Sequence, residues 1–226
     1  MNKGKLLILF VLFILSSCGT AVKTLAGFKN PKVEEKHYLT SYFASVFPSE
    51  KTYFMKVNEA GNKMEILNNI ALGMNTETLI FSSVSGQKYC YLGTEECGGI
   101  QMQNAFKNFD KNYSPCSENS NLNLSSYLEK ITDINGKSLI KEQLPQCDYY
   151  LFQNWNKYSG SKKKLQEDIN WLIDLKKKSN LNIVLIFVNG DMLEEWGLEK
   201  NGKLPLKFRK EGKKFTVTFG ELPIKK

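Results

Sequence analysis

The sequence is short of histidine. His37 is the only one in 226 residues. That excludes His-rich metal centres and leaves no second imidazole for a relay. His37 stands between Lys36 and Tyr38, with no nucleophile beside it, and reads as an exposed structural residue. Five cysteines are present, yet none shows Cys-x-x-Cys spacing, so a zinc site built from them is disfavoured. No phosphate-loop pattern surrounds Gly98-Gly99. The acidic pairs Glu34-Glu35, Glu95-Glu96 and Glu194-Glu195 are adjacent in sequence, which puts each pair on different faces of an element and gives no support to paired acid/base catalysis. No metal, cofactor or catalytic residue is expected. What remains is ordinary globular composition, 42% hydrophobic and 24% charged, with a formal charge of +8.

Long apolar runs are also missing. The longest, Leu6 to Leu15, has ten residues, about half of the roughly 20 that a spanning helix needs. Lys3 and Lys5 precede it and Leu15-Ser16-Ser17-Cys18 closes it. This ending resembles the lipobox of bacterial lipoproteins. The resemblance implies removal of residues 1–17, diacylglycerol and palmitate on Cys18, and attachment to a bilayer, since several acyl chains hold where one does so only marginally. Gly19 follows the cysteine, where an Asp would mark inner-membrane retention. The expected place is the cell envelope, at the outer membrane facing the periplasm. The 226 residues less 17 leave 209, and loss of the two leader lysines lowers the charge from +8 to +6. Nucleic acid is not an expected partner there, and the positive excess reads first as a solvated surface.

Residues 18–36 read as the lipidated tether. A small α/β N-terminal domain is expected over 37–111, with a helix over 38–47, a strand over 52–57, a helix over 64–72 and a hairpin over 78–92 around Ser85-Gly86. The Asn-, Ser- and Pro-rich stretch 112–124 reads as a linker. A second α/β domain is expected over 125–226. It opens with a hairpin around Asn135-Gly136. Then come the buried strand 149–155, a helix over 162–178 with Leu165, Ile169 and Leu172 on one stripe, and a second buried strand over 182–189. Strand, helix and strand in that order predict a βαβ unit with parallel strands. Leu204-Pro205 leads a terminal hairpin over 204–219.

This order of features resembles thioredoxin-like proteins of the TlpA redoxin type, over about 125–226. Asp133-Ile134-Asn135-Gly136-Lys137 matches the family's opening turn, and a strand ends on Trp155. Trp155-Asn156-Lys157-Tyr158-Ser159-Gly160-Ser161-Lys162 stands where the family has its Cys-x-x-Cys motif, and Pro205 where it has a Pro, usually cis, that pairs with substrate peptides. The resemblance implies a thioredoxin-like central mixed sheet with flanking helices, preceded by the smaller N-terminal region. The hairpin at 78–92 resembles the fold's terminal hairpin, which raises a degenerate second copy.

Ser159 and Lys162 occupy the two redox positions. A hydroxyl lacks the acidity and the sulfur exchange chemistry of a thiol, and an ammonium cannot resolve a mixed disulfide. The expectation is therefore a redox-inactive module that binds an envelope protein or peptide. Ser159, Ser161 and Lys162 at a helix start and backbone near Pro205 are its candidate contacts, set against a Ser159 that merely caps a helix and a Pro205 that merely starts an edge strand. The alternative is a thiol-disulfide oxidoreductase using Cys90 and Cys97, or Cys147. A third class is an immunity or inhibitor protein acting through a basic face. Cys90, Cys97, Cys116 and Cys147 allow three pairings. Cys90 with Cys97 closes a short Gly-containing loop, and Cys116 with Cys147 ties linker to domain. Structural disulfides, buried free thiols and a relocated redox pair all stay open.

Overall fold

The structure is a computed structural model. It describes residues 29–74, 78–93, 105–117, 122–211 and 214–225. The expected leader 1–17, Cys18, the first part of the tether and Cys97 lie outside the described residues. No helix among the described residues is long and apolar enough to cross a membrane.

The elements follow the apolar spacing. Helix α1 spans Lys36–Ala44 and precedes strand β1, Thr52–Met55. Helix α2, Lys63–Met74, is followed by β2, Thr78–Ser82, and β3, Lys88–Tyr91. Next come the single turn α3, Phe109–Asn112, and β4, Tyr113–Pro115. Then α4, Leu124–Leu128, leads to β5, Ile131–Thr132. The βαβ unit is β6, Tyr149–Trp155, α5, Lys162–Lys178, and β7, Ile183–Asn189. Strands β8, Leu206–Glu211, and β9, Lys214–Phe219, end the chain.

Seven strands form one mixed sheet in the order β4-β3-β2-β6-β7-β1-β5. The βαβ expectation holds: β6 and β7 are parallel in register from Tyr149 opposite Ile183 to Trp155 opposite Asn189. Strand β1 extends the parallel part on the far side of β7. On the other side β2 pairs antiparallel with β6, and β3 and β4 continue antiparallel outward. Six consecutive residues, Tyr150 to Trp155, are buried, so both faces of β6 are covered. Trp155 and Phe187 pack on Phe43 of α1. Phe152 meets Tyr127 of α4, and Asn154 bonds the end of α2. Helix α5 buries Leu165, Ile169, Leu172 and Leu175, a 3–4 spaced stripe, each worth roughly 1.5–3 kcal/mol of apolar transfer. Its last turn, Lys176 to Lys178, complements the helix dipole.

Two features depart from the sequence reading. Described parts of the polar stretch read as a linker are built into the fold: Tyr113–Pro115 forms edge strand β4, and the Asn123 side chain caps α4 by accepting from Ser126 N–H. Asn and Ser serve there as caps and edge residues, which composition alone does not separate from a linker. The terminal hairpin forms, but as a separate two-stranded sheet, and it is the upstream hairpin β2–β3 that flanks β6. That upstream hairpin joins the common sheet and does not build a second one. The turn at 133–137 closes as expected. Asp133 Oδ1 accepts from the N–H groups of Asn135 and Lys137, and Gly136 takes φ +81°, a conformation that favours glycine.

Two glycines set the height of α2 over the sheet. A Cβ on Gly190 would lie 2.4 Å from the Gly73 Cα, and a Cβ on Gly73 2.8 Å from the Gly190 Cα. Only this pair lets the last turn of α2 reach the carboxyl end of β7.

Candidate functional site at the carboxyl end of the parallel strands

In open sheets with parallel strands, ligands sit beyond the carboxyl ends of the strands. The motif-like segment lies there. After Trp155 the chain turns through Asn156 and Ser159 before α5 begins. Asn156 fixes the turn: its Oδ1 accepts from Ser159 N–H at 2.7 Å, and its Nδ2 donates to Gly73 O at 2.5 Å. Asn154 Nδ2 donates to Leu72 O, and Tyr158 Oη to Ile70 O. Asn154 and Asn156 thus satisfy two of the final carbonyls of α2, groups that a helix end leaves without partners, and Tyr158 adds a bond to the preceding part of the same turn. Burial raises the Tyr158 phenol well above its ordinary range.

The structure brings Trp155, Tyr158, Ser159, Gly160, Ser161 and Lys162 together at the opening of α5. The cap, however, is Ser161, whose hydroxyl accepts from Lys164 N–H at 3.2 Å. Ser159 lies two residues earlier. Trp155 is buried, donates from Nε1 to Thr52 Oγ1 at 2.8 Å, and stacks under Tyr42 with centroids 6.3 Å apart. Lys162 Nζ reaches Ser45 Oγ at 2.8 Å and stands 5.0 Å from the centre of the Tyr42 ring. Lys157 Nζ lies 4.3 Å from the centre of the Tyr38 ring and 2.6 Å from Glu34 Oε1. Burial opposes the Lys157 charge, but the bonds to Glu34 and Tyr38 raise its pKa overall. The result is a patch of two tyrosines and two lysines beside the helix opening, with Tyr38 47% exposed.

Pro205 does not face this opening. An extended stretch of the chain's own residues, 29–34, lies between. Lys29 N–H donates to Tyr158 O, Leu204 N–H to Pro31 O, Val33 N–H to Gly202 O and Glu34 N–H to Met192 O. No cis peptide bond occurs among the described residues, and Pro205 leads directly into β8. The expectation of a Pro205 facing the redox-like positions is not met, because residues 29–34, expected as the end of the tether, are bonded into the fold between Leu204 and Tyr158.

Of the cysteine pairings left open, the structure makes one that does not join neighbours in sequence. Cys90 is bonded to Cys116, joining β3 to the residue just after β4. Neighbours along the chain are the wrong guide here. The antiparallel register sets Cys90 opposite Ser114, which brings Cys116 within reach. Cys147 is a free, half-buried thiol just before β6, at the other end of that strand from Ser159. Burial pushes its pKa up, the opposite of activation. His37 is exposed, as expected.

The sequence reading missed the residues beyond β7. Asn189-Gly190-Asp191 places a carboxyl group at full burial. Asp191 accepts from Lys157 N–H through both oxygens, at 3.1 and 2.9 Å, and from Asn189 Nδ2 at 2.7 Å. Burial dominates over these bonds and pushes its pKa up to about 7. Asp191 lines a cleft of about 420 Å3, where Lys29, Lys32, Lys157 and Lys203 stand around Glu34 and Asp191. The available signal was positional: a polar triplet directly after a fully apolar strand. A second cleft, of about 610 Å3, lies at the other end of α5 and is lined by Phe106, Phe109, Leu175 and Leu181 with a charged rim. Among the described residues, no three His, Cys, Asp or Glu side chains are grouped to hold a metal ion.

No family model, curated protein or solved structure matches this chain.

Proposed function

We propose that this protein is a lipid-anchored protein of the bacterial envelope, tethered through acylated Cys18 and facing the periplasm, with a redox-inactive thioredoxin-like core that binds a protein or peptide partner. The observation that carries the reading is the opening of α5. A helix follows the first strand of a parallel pair and an antiparallel hairpin flanks that strand in the order β3-β2-β6-β7; on the thioredoxin-like resemblance, Ser159 and Lys162 stand where such a core carries its exchange-active thiols. In this reading the hairpin that such a core requires comes from upstream in the chain. The neighbouring Tyr38, Tyr42, Lys157 and Lys162 patch is the partner surface, because amphipathic rings held by cations offer contact area with little entropy left to lose. Dithiol exchange at Cys90 has no support, since Cys90 is bonded to Cys116.

Three measurements test the reading together. Labelled palmitate should enter the wild-type chain and not Cys18→Ala. Purified wild type should reduce no insulin disulfide. A photo-crosslinking residue at position 38 should give one discrete adduct in intact cells, and the same residue at position 174 none. Insulin turnover by wild type, or equal labelling at both positions, overturns the binding reading. A Cys18→Ala chain that still takes up palmitate overturns the anchor.

A further inference from the structure

We infer that the cleft between residues 29–34, the end of β7 and Lys203 is a binding site for a small carboxylate, with Lys32 and Lys203 attracting the anion and Asp191 sharing a proton with it. This site adjoins the aromatic patch proposed as partner surface and shares Lys157 with it, but it rests on Lys32, Lys203 and Asp191, which that patch does not use, so either reading can fail alone.

Charge selects the sign of the ligand. Four lysines line the cleft against two carboxyl groups, and Glu34 is already paired with Lys157. Among the described residues no carboxylate forms an ion pair with Lys29, Lys32 or Lys203. An anion entering the cleft meets several ammonium groups whose Coulomb attraction is strengthened by the enclosing protein.

Asp191 selects the chemistry. It is 1% exposed, yet no ammonium pairs with it among the described residues. Its neighbours are two neutral donors, the Lys157 backbone N–H and the Asn189 amide. A buried carboxyl without a countercharge is rare and costly in its ionised form. The titratable groups that face it are Glu34 and Lys157, with Tyr42 of α1 and Tyr158 of the β6–α5 turn. Burial favours its protonated form, which donates an O–H. A ligand carboxylate accepts that bond and the two groups hold one proton between them, as closely spaced carboxyl pairs do. At higher pH the proton comes from water and is bound along with the anion. An oxyanion that cannot share a proton, such as sulfate, gains the lysines but loses this contact.

The test is calorimetric titration of the full-length chain in detergent with succinate and with sulfate, at pH 7 and pH 8, in buffers of different ionisation enthalpy. The expected result is saturable succinate binding with proton uptake, weaker by about fivefold at pH 8 than at pH 7, as linkage to a group titrating near 7 requires. Sulfate should bind more weakly, with no proton taken up. Lys32→Ala/Lys203→Ala should weaken succinate at least tenfold at both pH values. Asp191→Asn should abolish the pH dependence, and should it fail to fold, the wild-type proton count and the lysine variant decide. No binding of millimolar succinate, sulfate bound as tightly as succinate, binding without proton uptake, or a lysine variant equal to wild type overturns the proposal.

Discussion

In the antiparallel wing, β2 to β4, rings and a disulfide hold neighbouring strands together, whereas at the carboxyl ends of β6 and β7 the same duty falls to amides, a phenol and a carboxyl group. Tyr89 meets Phe109 and Tyr149 at 5.7 and 5.3 Å, Phe109 meets Tyr113 at 4.8 Å, and Cys90–Cys116 closes the edge. Asn154, Asn156, Tyr158, Asn189 and Asp191 form the other set. The difference teaches where directionality is needed. Apolar burial is non-directional and tolerates small shifts, which suits a scaffold. A buried polar group must find its partners at set distances and angles, so a cluster of them fixes loop geometry and leaves a chemically selective surface.

The comparison breaks most strongly through pH. Asp191 has a folded pKa of about 7 against an ordinary 3.8. The folded chain therefore holds this proton where the unfolded chain has lost it. Its contribution is fully present below pH 4 and fades as pH rises to about 7, by at most roughly 4 kcal/mol. Denaturant titration of wild type and Asp191→Asn at pH 5 and pH 8 should show the wild type losing stability relative to the variant at the higher pH. A parallel pair of curves would show that the carboxyl end is held by something else. The wing should ignore this change and respond to reductant. Opening Cys90–Cys116, with a sequence separation of 26, should cost about 3 kcal/mol. Hydrogen exchange should rise in β3 and β4 and stay low in β6 and β7. Asn156→Ala strikes the polar end alone. It leaves Gly73 O and Ser159 N–H without their partner, for about 2 kcal/mol, and exchange should rise at the α2 terminus while the wing stays protected.

The sequence makes the parallel core legible and the wing only partly so, for a physical reason. Strands β6 and β7 are buried on both faces, so each is a continuous apolar run, and the amphipathic α5 between them leaves one economical arrangement. Pairing of β2 with β6 joins residues about 70 positions apart, and nothing in Leu79-Ile80-Phe81 names Leu151 as the partner of Ile80. The disulfide was hidden with it, because Cys116 approaches Cys90 only after β4 docks on β3. At the site, the helix opening could be read from Ser161 and the lysines that follow. Asp191 could not. A carboxyl after Asn189-Gly190 has the composition of an exposed turn, and its burial depends on segments distant in sequence, such as the β6–α5 turn that brings the Lys157 N–H onto it.

The finest distinction lies between two serines of the motif-like segment. The resemblance gives weight to Ser159, while the geometry gives it to Ser161. The Ser161 hydroxyl accepts from Lys164 N–H at the first turn of a 17-residue helix, and its loss removes one partner from the unpaired donors there. Ser161→Ala should cost about 1 kcal/mol. At Ser159 it is the backbone N–H that bonds Asn156, and alanine keeps that donor. Ser159→Ala should therefore stay within about 0.5 kcal/mol of wild type. Thermal unfolding of the two variants side by side measures this. If the order reverses, the Ser159 hydroxyl holds the opening of α5, and the position where a thiol would stand has been taken over by structure. If the order holds, Ser159 carries no load in the fold, and what its hydroxyl touches in a complex becomes a question that crosslinking at position 159 can answer directly.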